Sequence, residues 1–180
     1  GENRETLDVA GLADELAELY EPAAEERGLV LRASTDEPIF VHADRQLLGQ
    51  AIANLLDNAI KYGAPSDGAP VSEAKPEIGI AARVAGDMAE IVVTDHGPGV
   101  PAPERERVLG RFVRLEASRS EPGSGLGLSL VAAVASLHGG TLKLEDNEPG
   151  LRVVLSLPRE REALINGTPE QEPRAETHHA

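Results

Sequence analysis

The chain has no cysteine and no tryptophan, and it holds only one methionine, two phenylalanines and two tyrosines. Without cysteine there can be no disulfide and no thiolate metal site, which suits a reducing compartment. With aromatics at 2% of residues, aliphatic side chains must pack the core; the 41% apolar content is mostly Ala, Val, Leu and Ile. Cations are scarce: 17 Lys and Arg against 31 Asp and Glu leave a formal charge of −14. So acidic a chain is poorly suited to non-specific nucleic-acid binding, which uses basic side chains to displace phosphate counterions. An anionic ligand would need local help from a metal, a few placed cations or oriented backbone amides. No apolar run approaches the roughly 20 residues that span a bilayer. No signal-peptide pattern opens the chain, so it reads as soluble. Its 180 residues fit one domain, and no internal repeat is visible.

What is present divides into short periodic segments. Leu12, Leu16, Leu19 and Ala23 recur at helical spacing up to Arg27, with Pro22 a candidate bend and Gly28 a suitable end. Residues 29–33 and 39–41 read as strands. Asp44 is a good N-cap for a helix running to about Tyr62, whose core stripe is Leu48, Ala51, Ile52, Leu55, Leu56 and Ala59. Residues 63–76, rich in Gly, Pro, Ser and Ala, read as a loop. Residues 78–84 and 89–94 predict a hairpin around the turn Gly86–Asp87. A short helix over 104–109 and a mobile stretch over 118–125 follow. A last helix runs from the glycines at 125–127 to Leu137 and is stopped by Gly139-Gly140, before a strand pair over 141–144 and 151–157. From Arg159 the chain turns polar, charged and proline-bearing, which predicts a disordered tail over 159–180 after a domain spanning 1–158.

Three segments could carry chemistry. On the long helix, Asn54, Asn58, Lys61 and Tyr62 stand at i, i+4, i+7 and i+8 and share a face opposite the core stripe. An asparagine oxygen is a hard neutral ligand acceptable to Mg²⁺, and Lys61 adds a cation. The second segment is the turn Asp95-His96-Gly97-Pro98-Gly99-Val100. A carboxylate there could accept from the exocyclic amine of adenine, and the glycines would let the backbone turn tightly against a ring. The third is Gly123-Ser124-Gly125-Leu126-Gly127-Leu128, which opens a helix. Glycines bring backbone N–H groups close to a phosphate, and the helix N-terminus adds a favourable dipole. No Gly-Lys-Ser/Thr follows, so it is not a Walker A loop. It lies late in the chain with no strand leading directly into it, so it is a poor dinucleotide fingerprint. Alone, each segment also reads as an ordinary solvated helix face, a turn or a glycine cluster.

Taken together in this order, the three segments resemble the catalytic ATP-binding domain of bacterial sensor histidine kinases. That superfamily is shared with DNA gyrase B, the mismatch-repair protein MutL and the large ATP-driven heat-shock chaperone. The resemblance covers roughly residues 5–158 and extends to Arg111-Phe112-Val113-Arg114, similar to the family's phenylalanine box, and to Leu137-His138-Gly139-Gly140. It implies a two-layer α/β sandwich (the Bergerat-type ATP-binding fold), with three helices on one face of a mixed, mainly antiparallel sheet. It implies ATP and Mg²⁺ as cofactors, with Asn58 as the metal ligand. Asn54 and Lys61 would lie toward the phosphates, and Tyr62 toward the ribose and phosphates. Asp95 would bind the adenine amino group in a turn that Gly97 and Gly99 shape and Val100 closes. Phe112 would anchor the ATP lid, within which Arg119 would contact phosphate. Gly123, Gly125 and Gly127 would line the phosphates, with Leu126 and Leu128 packed beside them.

One position discriminates within that superfamily. Hydrolysing members and the related serine kinases resemble one another in carrying a glutamate one turn before the metal asparagine, as general base. Here the position is Asn54, and an amide is not a base. A histidine nucleophile needs less help, because neutral imidazole is already nucleophilic near pH 7. The resemblance therefore implies transfer of the ATP γ-phosphate to a histidine. A regulatory nucleotide-binding module of the same fold is the alternative.

The family's phosphoacceptor string, like His-Glu-Leu-Arg-x-Pro, does not occur in this sequence. Of the five histidines, His42 and His138 read as structural, His96 borders the candidate adenine turn, and His178 and His179 fall in the tail. The implied partners are thus a dimerisation and phosphoacceptor domain outside this chain and, indirectly, a response regulator. No nucleic acid and no membrane contact are expected, and the isolated fragment would be a cytoplasmic monomer whose parent could be anchored in the inner membrane. The 63–76 loop is longer than the family pattern, and Val113 stands where an aromatic is common.

Overall fold

The computed structural model describes residues 3–68, 72–105 and 127–160. In chain order the elements are β1 (Arg4–Asp8), α1 (Val9–Glu26), β2 (Val30–Ser34), β3 (Phe40–Asp44), α2 (Arg45–Tyr62), β4 (Glu77–Ala85), β5 (Met88–Thr94), α3 (Gly127–Leu137), β6 (Thr141–Asp146) and β7 (Leu151–Pro158). Residues 102–105 add one helical turn. The principal sheet has five strands in the order β2-β4-β5-β7-β6. Only β2 and β4 run parallel; every other neighbouring pair is antiparallel. The mixed, mainly antiparallel sheet expected from the sequence is therefore present.

The layers follow from alternation along the strands. Ile78, Ile80, Ala82, Ala89, Ile91, Val93, Val153, Leu155 and Leu157 point into one core with the inner stripes of the helices. That stripe in α2 comprises Leu48, Ala51, Ile52, Leu55, Leu56, Ala59 and Ile60, all buried. Among the described residues the fully buried core is aliphatic, with Tyr20 packed against it, as the shortage of aromatics leads one to expect.

Two features differ from the sequence reading. Strand β1 was not anticipated. It pairs antiparallel with β3 in a separate two-stranded ribbon, and only Leu7 is buried along it. A charged five-residue strand with one buried side chain leaves no periodicity to detect; its partner creates it. Helix α1 also begins earlier, at Val9, because Asp8 is its N-cap. The Asp8 carboxylate accepts from Ala10 N at 3.1 Å and from Ile39 N at 3.0 Å, so it closes the helix and ties it to the segment before β3.

Helix α2 starts where expected. Asp44 accepts from Leu47 N at 3.1 Å, satisfying one of the free N–H groups of the first turn. Past β7, Arg159 N donates to Asp87 O and Glu160 N donates to Phe40 O. Ordered pairing therefore extends two residues beyond the expected start of the tail. Residues 161–180 lie outside the described ones.

Candidate functional site

Helix α2 and the start of α3 meet through their polar faces. Asn54 and Asn58 lie one turn apart on α2, both half-buried, beside the buried stripe that fixes the helix's rotation. Gly127, the first residue of α3, faces them. A methyl group at Gly127 would stand 3.3 Å from Asn58 Nδ2 and 3.4 Å from Asn54 Cβ. The glycine allows this close approach of α3 to the asparagine face. Asn58 Nδ2 is buried with no hydrogen-bond partner among the described residues. An unpaired buried amide costs about 1–3 kcal/mol, so this group fits a ligand rather than the resting fold.

At the far end of α2 the chain passes close to the Asp95 turn. Gly63 and Gly97 have no room for side chains. A methyl at Gly97 would overlap the Tyr62 carbonyl, and one at Gly63 would lie 2.8 Å from Asp95 Cβ. Asp95 follows β5, and the register that pairs Thr94 with Arg152 brings it opposite Leu151. Its Oδ1 accepts from Gly97 N at 2.9 Å and from Leu151 N at 3.2 Å. Among the described residues Oδ2 accepts nothing. Burial raises the Asp95 pKa above the ordinary carboxylate value; the two backbone hydrogen bonds and nearby His96 oppose that rise. Only 7% of Asp95 is exposed, and the two bonds to Oδ1 set the direction of its other oxygen. Gly99 takes φ 71°, which a side chain would strain. Val100 is held at its carbonyl by Arg105 Nε at 2.9 Å.

Lys61 and Tyr62 are exposed at the end of α2. Lys61 is ion-paired with Asp57 at 3.0 Å, one turn back, and the hydrogen bond and charge of Asp57 raise its pKa. It is thus a cation shared with a carboxylate, an i,i+4 pair of the kind that helix geometry brings together. Leu128 is buried against the core. Phe112, Arg119, Gly123, Gly125 and Leu126 lie outside the described residues, as do His178, His179 and the helix expected beyond residue 105.

His96 is exposed. His138 is buried and structural: Nδ1 bonds Val134 O at 2.7 Å, and Nε2 accepts from Asp44 N at 3.1 Å. It ties the C-terminal end of α3 to the N-cap of α2 and so fixes how the two helices face each other. Sequence reasoning missed one supporting group. Asn147, between β6 and β7, donates to Asp95 O at 2.6 Å. The string Asn147-Glu148-Pro149-Gly150 has turn composition, but only the sheet order places it beside residue 95.

Comparisons with known proteins show the family to which this fold belongs. A family model described as histidine kinase-, DNA gyrase B- and HSP90-like ATPase matches residues 43–161. The signal transduction histidine-protein kinase/phosphatase MprB of Mycolicibacterium smegmatis is 42% identical over 127 residues, which is 67% of this chain and 24% of that protein. This chain therefore spans about a quarter of that relative's length. Among solved structures, a mycobacterial sensor histidine kinase MprB aligns with a TM-score of 0.66 and 31% identity, over 87% of this chain and 98% of that one. The ATP-binding domain of PrrB from Mycobacterium tuberculosis aligns with a TM-score of 0.66 and 29% identity, over 88% and 99%.

Proposed function

Because the chain belongs to the histidine kinase-, DNA gyrase B- and HSP90-like ATPases, as the ATP-binding catalytic domain of a two-component sensor histidine kinase, we propose that it delivers the γ-phosphate of ATP to a histidine on a dimerisation domain outside this sequence. The observation that carries this reading is the meeting of Gly127 with Asn54 and Asn58, with Asn58 Nδ2 buried and without a partner among the described residues. Asp95, at the other end of α2, offers an acceptor at a distance from the phosphate end. Adenine would be read at Asp95, within the turn of Gly97, Gly99 and Val100. The phosphates would lie between Asn54, Asn58, Lys61 and Tyr62 on one side and Gly127 on the other. Phe112, Arg119, Gly123, Gly125 and Leu126 are assigned to the same site by resemblance.

Asn58 would hold Mg²⁺. A single neutral oxygen ligand fits an ion that keeps several waters and takes the rest of its shell from substrate phosphates. The ion's charge offsets that of the phosphates. The chain itself supplies placement and oriented dipoles, not a base. With Asn54 in the base position, water is not activated, and a neutral imidazole needs no proton removed before it attacks. The terminal P–O bond breaks, a P–N bond forms and ADP leaves. The folded unit is taken as residues 1–158, extended by the backbone pairing of Arg159 and Glu160, with the remainder as a tail. A cytoplasmic monomer, acting on the phosphoacceptor domain and through it on a response regulator, completes the reading.

The test has two arms. A fluorescent ATP analogue is titrated with and without Mg²⁺ into wild type, Asp95→Ala and Asn58→Ala. Weaker binding is expected in both variants, with Asn58→Ala losing most of the Mg²⁺ dependence; unchanged affinity in both would sink the site. The chain is then mixed with a separately expressed dimerisation domain and labelled ATP. Acid-labile label on that domain's histidine is expected. Its absence under conditions where ATP binds would favour the regulatory module.

A further inference from the structure

The tip of the β6–β7 hairpin, residues 147–150, belongs to none of the segments assigned to the nucleotide, yet it grips the residue read as the adenine contact. Asn147 Nδ2 donates to the Asp95 carbonyl at 2.6 Å. Leu151 N donates to Asp95 Oδ1 at 3.2 Å, and Asp95 N donates back to Leu151 O at 3.0 Å. Gly150, at φ 112°, leaves no room for a methyl group beside the Asp95 carbonyl, and its own carbonyl packs against Gly99. The tip is also closed from within. Asn147 N donates to Gly150 O at 3.1 Å, and Glu148 N donates to Asp146 Oδ1 at 3.0 Å. Asn147 therefore works twice: its main chain closes the hairpin and its side chain clamps the Asp95 peptide.

Together these bonds hold residue 95 at its N–H, its carbonyl and one carboxylate oxygen, which fixes the direction of the other, Oδ2. Adenine offers an amine donor where guanine offers a carbonyl oxygen. An acceptor held in one direction pairs with the first and repels the second. Such discrimination is strong only when the site cannot shift to relieve the mismatch. We infer that Asn147 is a positioning residue for base selection, acting through Asp95 to favour adenine over guanine. The inference rests on the nucleotide-site reading above.

Asn147→Asp keeps the side chain's shape but replaces the donor with an acceptor against the Asp95 carbonyl; Asn147→Ala removes it. ADP and GDP affinities are measured for both, with the unfolding midpoint and the NMR amide shifts of Gly97 and Leu151. Both variants are expected to fold and to move those two amides. ADP affinity should fall about tenfold or more, as for a lost buried hydrogen bond, while GDP affinity falls less, so the ADP-to-GDP ratio narrows. Asn147→Gln, which keeps a donor, should recover part of the ratio. Equal losses for both nucleotides, or unchanged ADP affinity in folded Asn147→Asp, overturn the inference. Unfolding of both Asn147→Asp and Asn147→Ala also overturns it, since the tip would then serve stability alone. Loss of ADP binding in Asp95→Ala with none in the Asn147 variants defeats this inference and spares the site. Intact ADP binding in Asp95→Ala defeats both.

Discussion

Asp95 meets opposing demands. Burial penalises its charged form, so its folded-state pKa is raised, while the two N–H donors and His96 limit the rise. Because the folded pKa exceeds the unfolded one, the folded chain binds more protons between the two values. Stability then falls as pH rises through that window, and the ionised carboxylate burdens the fold at neutral pH. Asn is a revealing replacement. Its oxygen can take the two N–H bonds now made to Oδ1, which leaves an NH₂ donor in the place of Oδ2, where the proposed site puts the adenine amine. Asp95→Asn is expected to unfold no lower than wild type at pH 7, with any advantage narrowing as the pH falls through the window. It should nonetheless bind ADP about ten- to a hundredfold more weakly, because donor would meet donor. Thermal unfolding against pH, paired with ADP titration, checks both halves. In the wild type, ADP affinity should decline on acidification with a midpoint above the usual carboxylate range, measurable by the same titration. The place of Asp95 at a strand end before two glycines was legible in the sequence. The orientation of its carboxylate was not, because it depends on Leu151, 56 residues away.

At the scale of elements, the site depends on how α2, α3 and the Asp95 turn seat against one another. His138 spans two helices through its two nitrogens. His138→Ala would leave the Asp44 N–H and the Val134 carbonyl without that partner, at a cost of about 1–3 kcal/mol. The expected result is a lower midpoint in urea with little change in slope. Gly97→Ala is harsher, because the added methyl would strike the Tyr62 carbonyl, backbone that cannot rotate aside. A loss of about 1–3 kcal/mol or more is expected, as in overpacked cores, together with weaker ADP binding; equilibrium unfolding and titration read the two effects separately. The helices themselves were legible from apolar spacing and from Asp44. Strand β1 was not, and neither was the cap at Asp8, because both depend on contacts with β3 and the segment before it.

For the whole molecule, net charge sets the approach of ligand. At −14, the chain repels a nucleotide anion at long range, and Lys61, already paired with Asp57, offsets little of this. Screening lengths shrink from about 30 Å at 0.01 M salt to about 10 Å at 0.1 M. The association rate of Mg²⁺-free ADP should therefore rise several-fold over that range, as measured by stopped-flow fluorescence. A falling rate would mean that local cations dominate the field around the site. No helix among the described residues is long and apolar enough to cross a membrane, in keeping with the composition.

The sequence by itself determined the periodic elements, the aliphatic core, the acidic surface and the chemical identity of the three segments. Those properties reside in residue type and in spacing within one element. The tertiary structure decided which groups meet: Gly127 against the two asparagines, Gly97 against the end of α2, and the β6–β7 tip against Asp95. These contacts depend on strand order and helix rotation, which emerge only when the whole core packs and one arrangement satisfies both the buried apolar stripes and the backbone hydrogen bonds.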